Sequence, residues 1–186
     1  LSIDLDALLR RCKSDKWRAQ LSPRPIDRLV AAASLAESNR LRLLPDTNVY
    51  IRNLAGSLPA TVAALIDQSL LWHSSVCLGE ITTGIGHYNP AASDWRRVRQ
   101  HYAAIFAAIP DSRIVMPDDE GWQLAGLIAG TLARTQNFQP HQRKECLNDA
   151  LIYLSATKLG LPVVTANRVE FDLIQQVAPG GAFVHF

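Results

Sequence analysis

Four carboxylates fall where the chain pattern ends a strand or starts a helix: Asp46, Glu80, Asp149 and Glu170. Asp46 follows the apolar run Leu41–Leu44 and precedes the polar pair Thr47-Asn48; Asp46-Thr-Asn48 is also a good turn and helix cap. Glu80 lies in the first turns of the helix expected after Leu70-Leu-Trp-His73. Asp149 is expected to open a helix that is apolar on almost every side, with Asn148 as its cap, and Glu170 sits five residues past Thr165. Each acid alone has a structural explanation as a cap. In a parallel sheet, however, all four positions face the same edge, where α/β folds bind ligands. Clustered carboxylates repel one another and carry raised pKa values unless a cation neutralises them. The five histidines (His73, His87, His101, His141, His185) are scattered and form no HxxxH pair, so the donors offered are oxygens. Hard oxygen donors select Mg2+ or Mn2+ over zinc. A site of this kind suits phosphodiester hydrolysis, because a bound metal lowers the pKa of water and steadies charge on the phosphate.

The elements that must position these acids alternate strand and helix from Leu41 onward. Strands are expected at Leu41–Leu44, Leu70–His73, Arg113–Met116, Leu161–Thr165 and Ala182–Phe186. Helices are expected at Thr47–Leu54, Pro59–Gln68, from Ser75 through Ile81, at Ala91–Ala108, from Pro117 to about Thr135, and at Leu147–Leu159 and Phe171–Val177. The polar stretch Asn137–Lys144, with Pro140, reads as a loop. This alternation implies a three-layer α/β/α, Rossmann-like fold around a mostly parallel sheet of about five strands. Residues 1–40 read as a helical extension: an amphipathic helix over 1–20, a break at Ser22-Pro-Arg-Pro25, and an Ala-rich helix over Asp27–Asn39. Residues 41–186 form the main domain.

Apolar residues make up 48% of the chain and charged residues 19%, a soluble globular profile. The net charge of +2 excludes a polycation. Residues 1–45 nevertheless hold nine Lys and Arg against five acids. A basic arm of this kind fits a polyanionic partner, and equally fits docking on its own acidic body. Cys12, Cys77 and Cys146 are odd in number and far apart, with no CxxC, which argues against a disulfide framework or zinc knuckle and for a reducing cytoplasm. No apolar run reaches the roughly 20 residues of a membrane span, so no membrane partner is expected. No signal-peptide layout is present. The opening Leu suggests a start that is missing or processed.

Asp46-Thr-Asn-Val, Ser75-Val-Cys-Leu-Gly-Glu80, Asn148-Asp149-Ala-Leu-Ile-Tyr-Leu-Ser-Ala-Thr-Lys-Leu-Gly160 and Val163-Val-Thr-Ala-Asn-Arg-Val-Glu-Phe171 together resemble the PIN domain, and within it VapC-like toxin ribonucleases of toxin–antitoxin pairs. The resemblance covers about residues 41–186, in matching order and spacing. It implies a PIN-like fold and a Mg2+- or Mn2+-dependent endoribonuclease that leaves 5′-phosphate and 3′-hydroxyl ends. It places three near-invariant acids on Asp46, Glu80 and Asp149. The fourth position falls on Glu170, with Asn167 or Asp172 as the other candidates. Thr47, Asn48, Thr165 and Asn167 are the expected orienting residues. The implied partners are an RNA substrate, an antitoxin and a second copy in a homodimer, in the cytoplasm. Whether one or two metals bind stays open. The extension before residue 41 departs from the family pattern.

Arg168 beside the site is a candidate phosphate contact, as are Arg96, Arg97 and Arg99 in the stretch Trp95–His101, which reads equally as a solvated helix face. His141 and Glu145 would share a face with Asp149 if the helix began early, but Pro140 favours a loop. Trp72 and Trp122 are expected in the core or at a dimer interface. Two alternatives compete with the toxin reading: an RNA-processing nuclease outside toxin–antitoxin systems, and a non-catalytic RNA- or protein-binding module. A phosphotransferase using Asp46 as nucleophile is disfavoured, because position 48 is Asn rather than a second acid.

Overall fold

The computed structural model describes residues 4–35 and 40–186. The outer ends of both helices expected in the extension, residues 1–3 and 36–39, lie outside the described residues. The fold is α/β with parallel strand pairing throughout the named strands. Strand β1 (Arg42–Pro45) pairs with β2 (Leu70–Leu71) on one side and β5 (Val163–Thr165) on the other, and β5 pairs with β6 (Phe183–His185). The expected second strand is broken at Trp72. Its second half, β3 (His73–Ser74), leaves β1 and pairs with β4 (Ile114–Val115) in a separate two-stranded sheet. The expected sheet of about five strands is therefore a four-stranded sheet, β2-β1-β5-β6, plus a pair.

Both faces of the main sheet are covered, as its near-continuous apolar strands require. Leu44, Val163 and Phe183 face a large cluster built with α4 (Ser75–His87), α5 (Trp95–Ala108), α6 (Asp119–Gln136), α7 (Pro140–Lys158) and α8 (Arg168–Val177). Leu43, Val164 and Val184 point the other way, onto α2 (Thr47–Leu54) and α3 (Ala60–Asp67). Side chains alternate along a strand, so each strand feeds both layers. Helix α7 carries an unbroken buried run from Asp149 to Ala156, and each buried Leu or Ile there contributes about 1.5–3 kcal/mol.

Three expectations fail, two for a local reason and one for a distant one. The loop expected over 137–144 is confined to 137–139, because α7 starts at Pro140. Proline is well suited to a first helical position, where its missing N–H is not needed, and Gln142 Oε1 accepts from the Gln139 amide at 2.8 Å. The first helix of the extension, α1 (Leu5–Cys12), is shorter than 1–20. Asp4 caps its start, and Lys13, in the left-handed conformation at φ 49°, ends it by donating its amide to Leu9 O at 2.8 Å. The second helix is reduced to 3-10 turns at Ile26–Arg28 and Ala32–Leu35. Between them the chain is extended: His185 N donates to Val30 O at 2.9 Å, and Ala31 bridges to His185, covering the open edge of β6.

The extension is fastened to the main body. Leu8 and Cys12 are buried in the large core cluster. Arg134 on α6 donates to the carbonyls of Ser14 at 2.9 Å and Trp17 at 2.8 Å. Arg24 pairs through Nε with the fully buried Asp172 on α8 at 2.5 Å. The basic residues of the arm that bind the body do so as docking contacts, consistent with the packed alternative read from the sequence.

Candidate acidic site at the sheet edge

The end of β1 places Asp46 at the C-terminal edge of the sheet, 4% exposed, as the N-cap of α2. Its Oδ1 accepts the Thr47 amide at 2.7 Å and its Oδ2 accepts the Thr165 hydroxyl at 2.7 Å. The Asn48 side-chain amide also donates to Oδ2. Thr165, at the end of the neighbouring strand β5, accepts from the Asn48 amide at 3.1 Å and from Asn167 N at 2.9 Å. Asn48 Oδ1 in turn accepts from Ala166 N at 3.0 Å. The two strand ends are thus tied together around Asp46.

Glu80 comes from the second turn of α4, whose N-cap is Ser74. Thr47 donates its hydroxyl to Glu80 Oε2, and Asn148 Nδ2 donates to Oε1 at 2.7 Å. Asp149 is buried and accepts from Asn167 Nδ2 at 2.8 Å. It does not open its helix: with α7 starting at Pro140, Asn148 and Asp149 are mid-helix. Asn148 therefore caps nothing and instead holds Glu80, a role missed because the helix start was placed too late. Glu170 is half-buried in the first turn of α8, which also starts earlier than expected, and its charge acts on Asp149.

Electrostatics join these groups. Burial pushes Asp46 up to about 6, with Glu80 adding to the rise and the donors Thr165, Thr47 and Asn48 opposing it. Asp149 is raised well above the usual range, first by burial and then by the charges of Asp46, Glu80 and Glu170. Beneath them, burial and the Asp46 charge keep the Cys77 thiol protonated, and burial with Asp149 and Glu170 pushes Cys146 up to about 12. All three cysteines are free and buried.

Among the described residues, no Lys or Arg pairs with any of the four acids. Nor do three acidic, His or Cys side chains form a ready-made cation cage among them. The donor chemistry fits a hard divalent ion such as Mg2+, which is held by one or two carboxylates with water completing its shell. Of the other candidates for the fourth position, Asp172 belongs to the buried pair with Arg24, and Asn167 orients Asp149. Arg168 begins α8 and is half-buried. Arg96, Arg97 and Arg99 are exposed on α5, with Arg97 held by Asp94 at 3.0 Å. Trp122 is 51% exposed rather than in the core, and Trp72 is half-buried with the Arg42 guanidinium 4.6 Å from its ring centre. No helix among the described residues is long and apolar enough to cross a membrane.

No family model and no curated protein matches the chain. Several solved structures do. A chain of VapBC2 from Rickettsia felis, bound to a promoter DNA fragment, matches with TM-score 0.53 and 14% identity, over 78% of this chain and 99% of that one. A chain of FitAcB from Neisseria gonorrhoeae matches with TM-score 0.56 and 18% identity, over 76% and 96%. A chain of DNA-bound VapBC from Salmonella typhimurium matches with TM-score 0.53 and 22% identity, over 77% and 96%. At such identity the likeness is one of fold. These structures are toxin–antitoxin complexes, which hold two kinds of protein. The assignment to the PIN-domain, VapC-like toxins drawn from the sequence motifs is corrected accordingly: with no family model matching, a distant fold likeness to chains of such complexes does not make this chain their toxin.

Proposed function

We propose that this chain is a divalent-metal-dependent endoribonuclease acting within a toxin–antitoxin pair. The observation that carries the reading is the convergence of Asp46, Glu80, Asp149 and Glu170 from four separate segments, with burial and mutual repulsion raising Asp46 and Asp149. Such an arrangement stores unfavourable charge that a cation would relieve. The likeness of fold to toxin–antitoxin assemblies supports the pairing with a second protein.

In this reading Asp46, Glu80 and Asp149 hold Mg2+ or Mn2+, and Glu170 completes the acidic pocket. The bound ion supplies a water of lowered pKa and charge stabilisation at the phosphorus. The remaining groups keep the carboxylates in place. Thr165 and Asn48 fix Asp46, Thr47 and Asn148 fix the two oxygens of Glu80, and Asn167 fixes Asp149. Arg168, at the start of α8, contacts a substrate phosphate.

The test is cleavage of single-stranded RNA by the purified chain with Mn2+, with and without EDTA, beside Asp149→Asn. The expected result is metal-dependent cleavage lost in the variant. Equal behaviour of the two proteins would remove the enzyme reading and favour a binding module.

A further inference from the structure

The acidic site opens sideways into a groove of about 500 Å3 between α4 and α7. Glu80 and Thr83 line one wall, and His141, Lys144, Glu145 and Asn148 line the other. This wall exists because α7 begins at Pro140, which turns 140–148 into a rigid surface continuous with Asp149. Asn148 marks the junction, since it bonds Glu80 at 2.7 Å and also lines the groove.

We propose that this groove holds the single-stranded RNA segment next to the scissile bond, with Lys144 as the phosphate contact and His141 one step farther out. The inference rests on the ribonuclease reading and assigns the path of its substrate. Glu80 lines the inner end of the groove, and Lys144, with Glu145 beside it, lines the wall nearer the start of the 19-residue helix α7, where His141 and the positive helix N-terminus add to the cation. Lys144 is exposed and, among the described residues, enters no ion pair. At 1.5 Å rise per residue, Lys144 lies about 7.5 Å and His141 about 12 Å along the helix axis from Asp149. A cation one helical step from the reacting centre suits a neighbouring phosphate better than the scissile one. Glu145 on the same wall opposes a polyanion, so the proposal gives it an effect of opposite sign: its neutralisation should tighten RNA binding.

The experiment measures fluorescence anisotropy of a labelled single-stranded RNA of about a dozen nucleotides across a KCl series. It uses the full chain carrying Asp149→Asn so that the RNA stays intact. Adding Lys144→Gln should weaken binding several-fold and reduce the slope of log affinity against log salt by about 0.7, the value for one phosphate contact on a single strand. Lys144→Arg should retain both, and Glu145→Gln should tighten binding. In the active chain, Lys144→Gln should raise KM with little change in kcat. Lys144 is exposed, so an unchanged melting temperature will show that the variant is folded. If RNA is bound and cut but Lys144→Gln changes neither affinity nor slope, the groove assignment is wrong and the hydrolase reading stands. If the unaltered chain neither binds nor cuts RNA, both are wrong.

Discussion

Replacing Asp46 with Asn should change how the stability of the metal-free protein depends on pH. Burial raises the Asp46 carboxyl from 3.8 to about 6. At 1.36 kcal/mol per unit this is worth about 3 kcal/mol. The group binds its proton more tightly when folded. Its favourable contribution is therefore fully present below 3.8 and is lost as pH rises through about 6. Asn does not titrate, so the stability of the variant minus that of the wild type should rise by about 3 kcal/mol between roughly pH 4 and pH 8. Asp149 is raised partly by Asp46, so relieving it adds to the same sign. Absolute stability is a poorer readout. The new amide would set a donor against the Thr165 hydroxyl and the Asn48 amide, at a cost of about 1–3 kcal/mol at every pH. His73, held down to about 4 by burial and Arg113, pulls the other way in the same window but does so in both proteins and cancels. The assay is urea unfolding followed by Trp fluorescence in EDTA. Saturating Mn2+ should then favour the wild type, by about 2.7 kcal/mol at a hundredfold excess over Kd, and stabilise the variant less. A difference that stays within about 1 kcal/mol across the pH range would refute the buried, mutually repelling arrangement of carboxylates.

Other substitutions probe the frame around the site. Arg24→Ala leaves the fully buried Asp172 without its cation and should cost about 3 kcal/mol in denaturant unfolding; adding Asp172→Asn should recover part of that loss. Gly181→Ala places a Cβ 2.7 Å from Tyr153 Cζ and against Thr157 Oγ1. It should cost about 1–3 kcal/mol, seen calorimetrically as a fall in Tm of about 2–4 °C for each kcal/mol. Thr165→Val removes the 2.7 Å bond to Asp46, so Mn2+ affinity by calorimetry should fall while RNA affinity on the Asp149→Asn background holds.

The strand–acid–helix unit around Asp46 was legible because the local signals agree: an apolar run, then an acid that can cap a helix, then the polar pair Thr47-Asn48. The starts of α4 and α6 were legible for the same reason, with Ser74 and Asp118 bonding the first turns. The extension was not. Its second segment has helical periodicity, yet Val30 and Ala31 are drawn out against His185, and no window of sequence contains that distant edge. The split at Trp72 was equally hidden. Which strand Leu70–Ser74 pairs with is decided by β1 for its first half and β4 for its second.

The start of α7 has the largest consequence for function. Read as a helix opening at Leu147, the chain gives Asp149 a structural duty as an acid in a first turn. With the helix starting at Pro140, that duty disappears, because Asp149 is a buried carboxylate in mid-helix whose ionisation is opposed by its surroundings. Asp46 differs, since it caps α2 whether or not anything binds. Loss of activity in Asp46→Asn therefore mixes the disturbed bonds from Thr165 and Asn48 with a lost ligand. Asp149→Asn can keep the bond from Asn167 and removes only charge. A variant that is at least as stable as the wild type in EDTA, yet no longer binds Mn2+, would identify Asp149 as a carboxylate kept for the ion rather than for the fold.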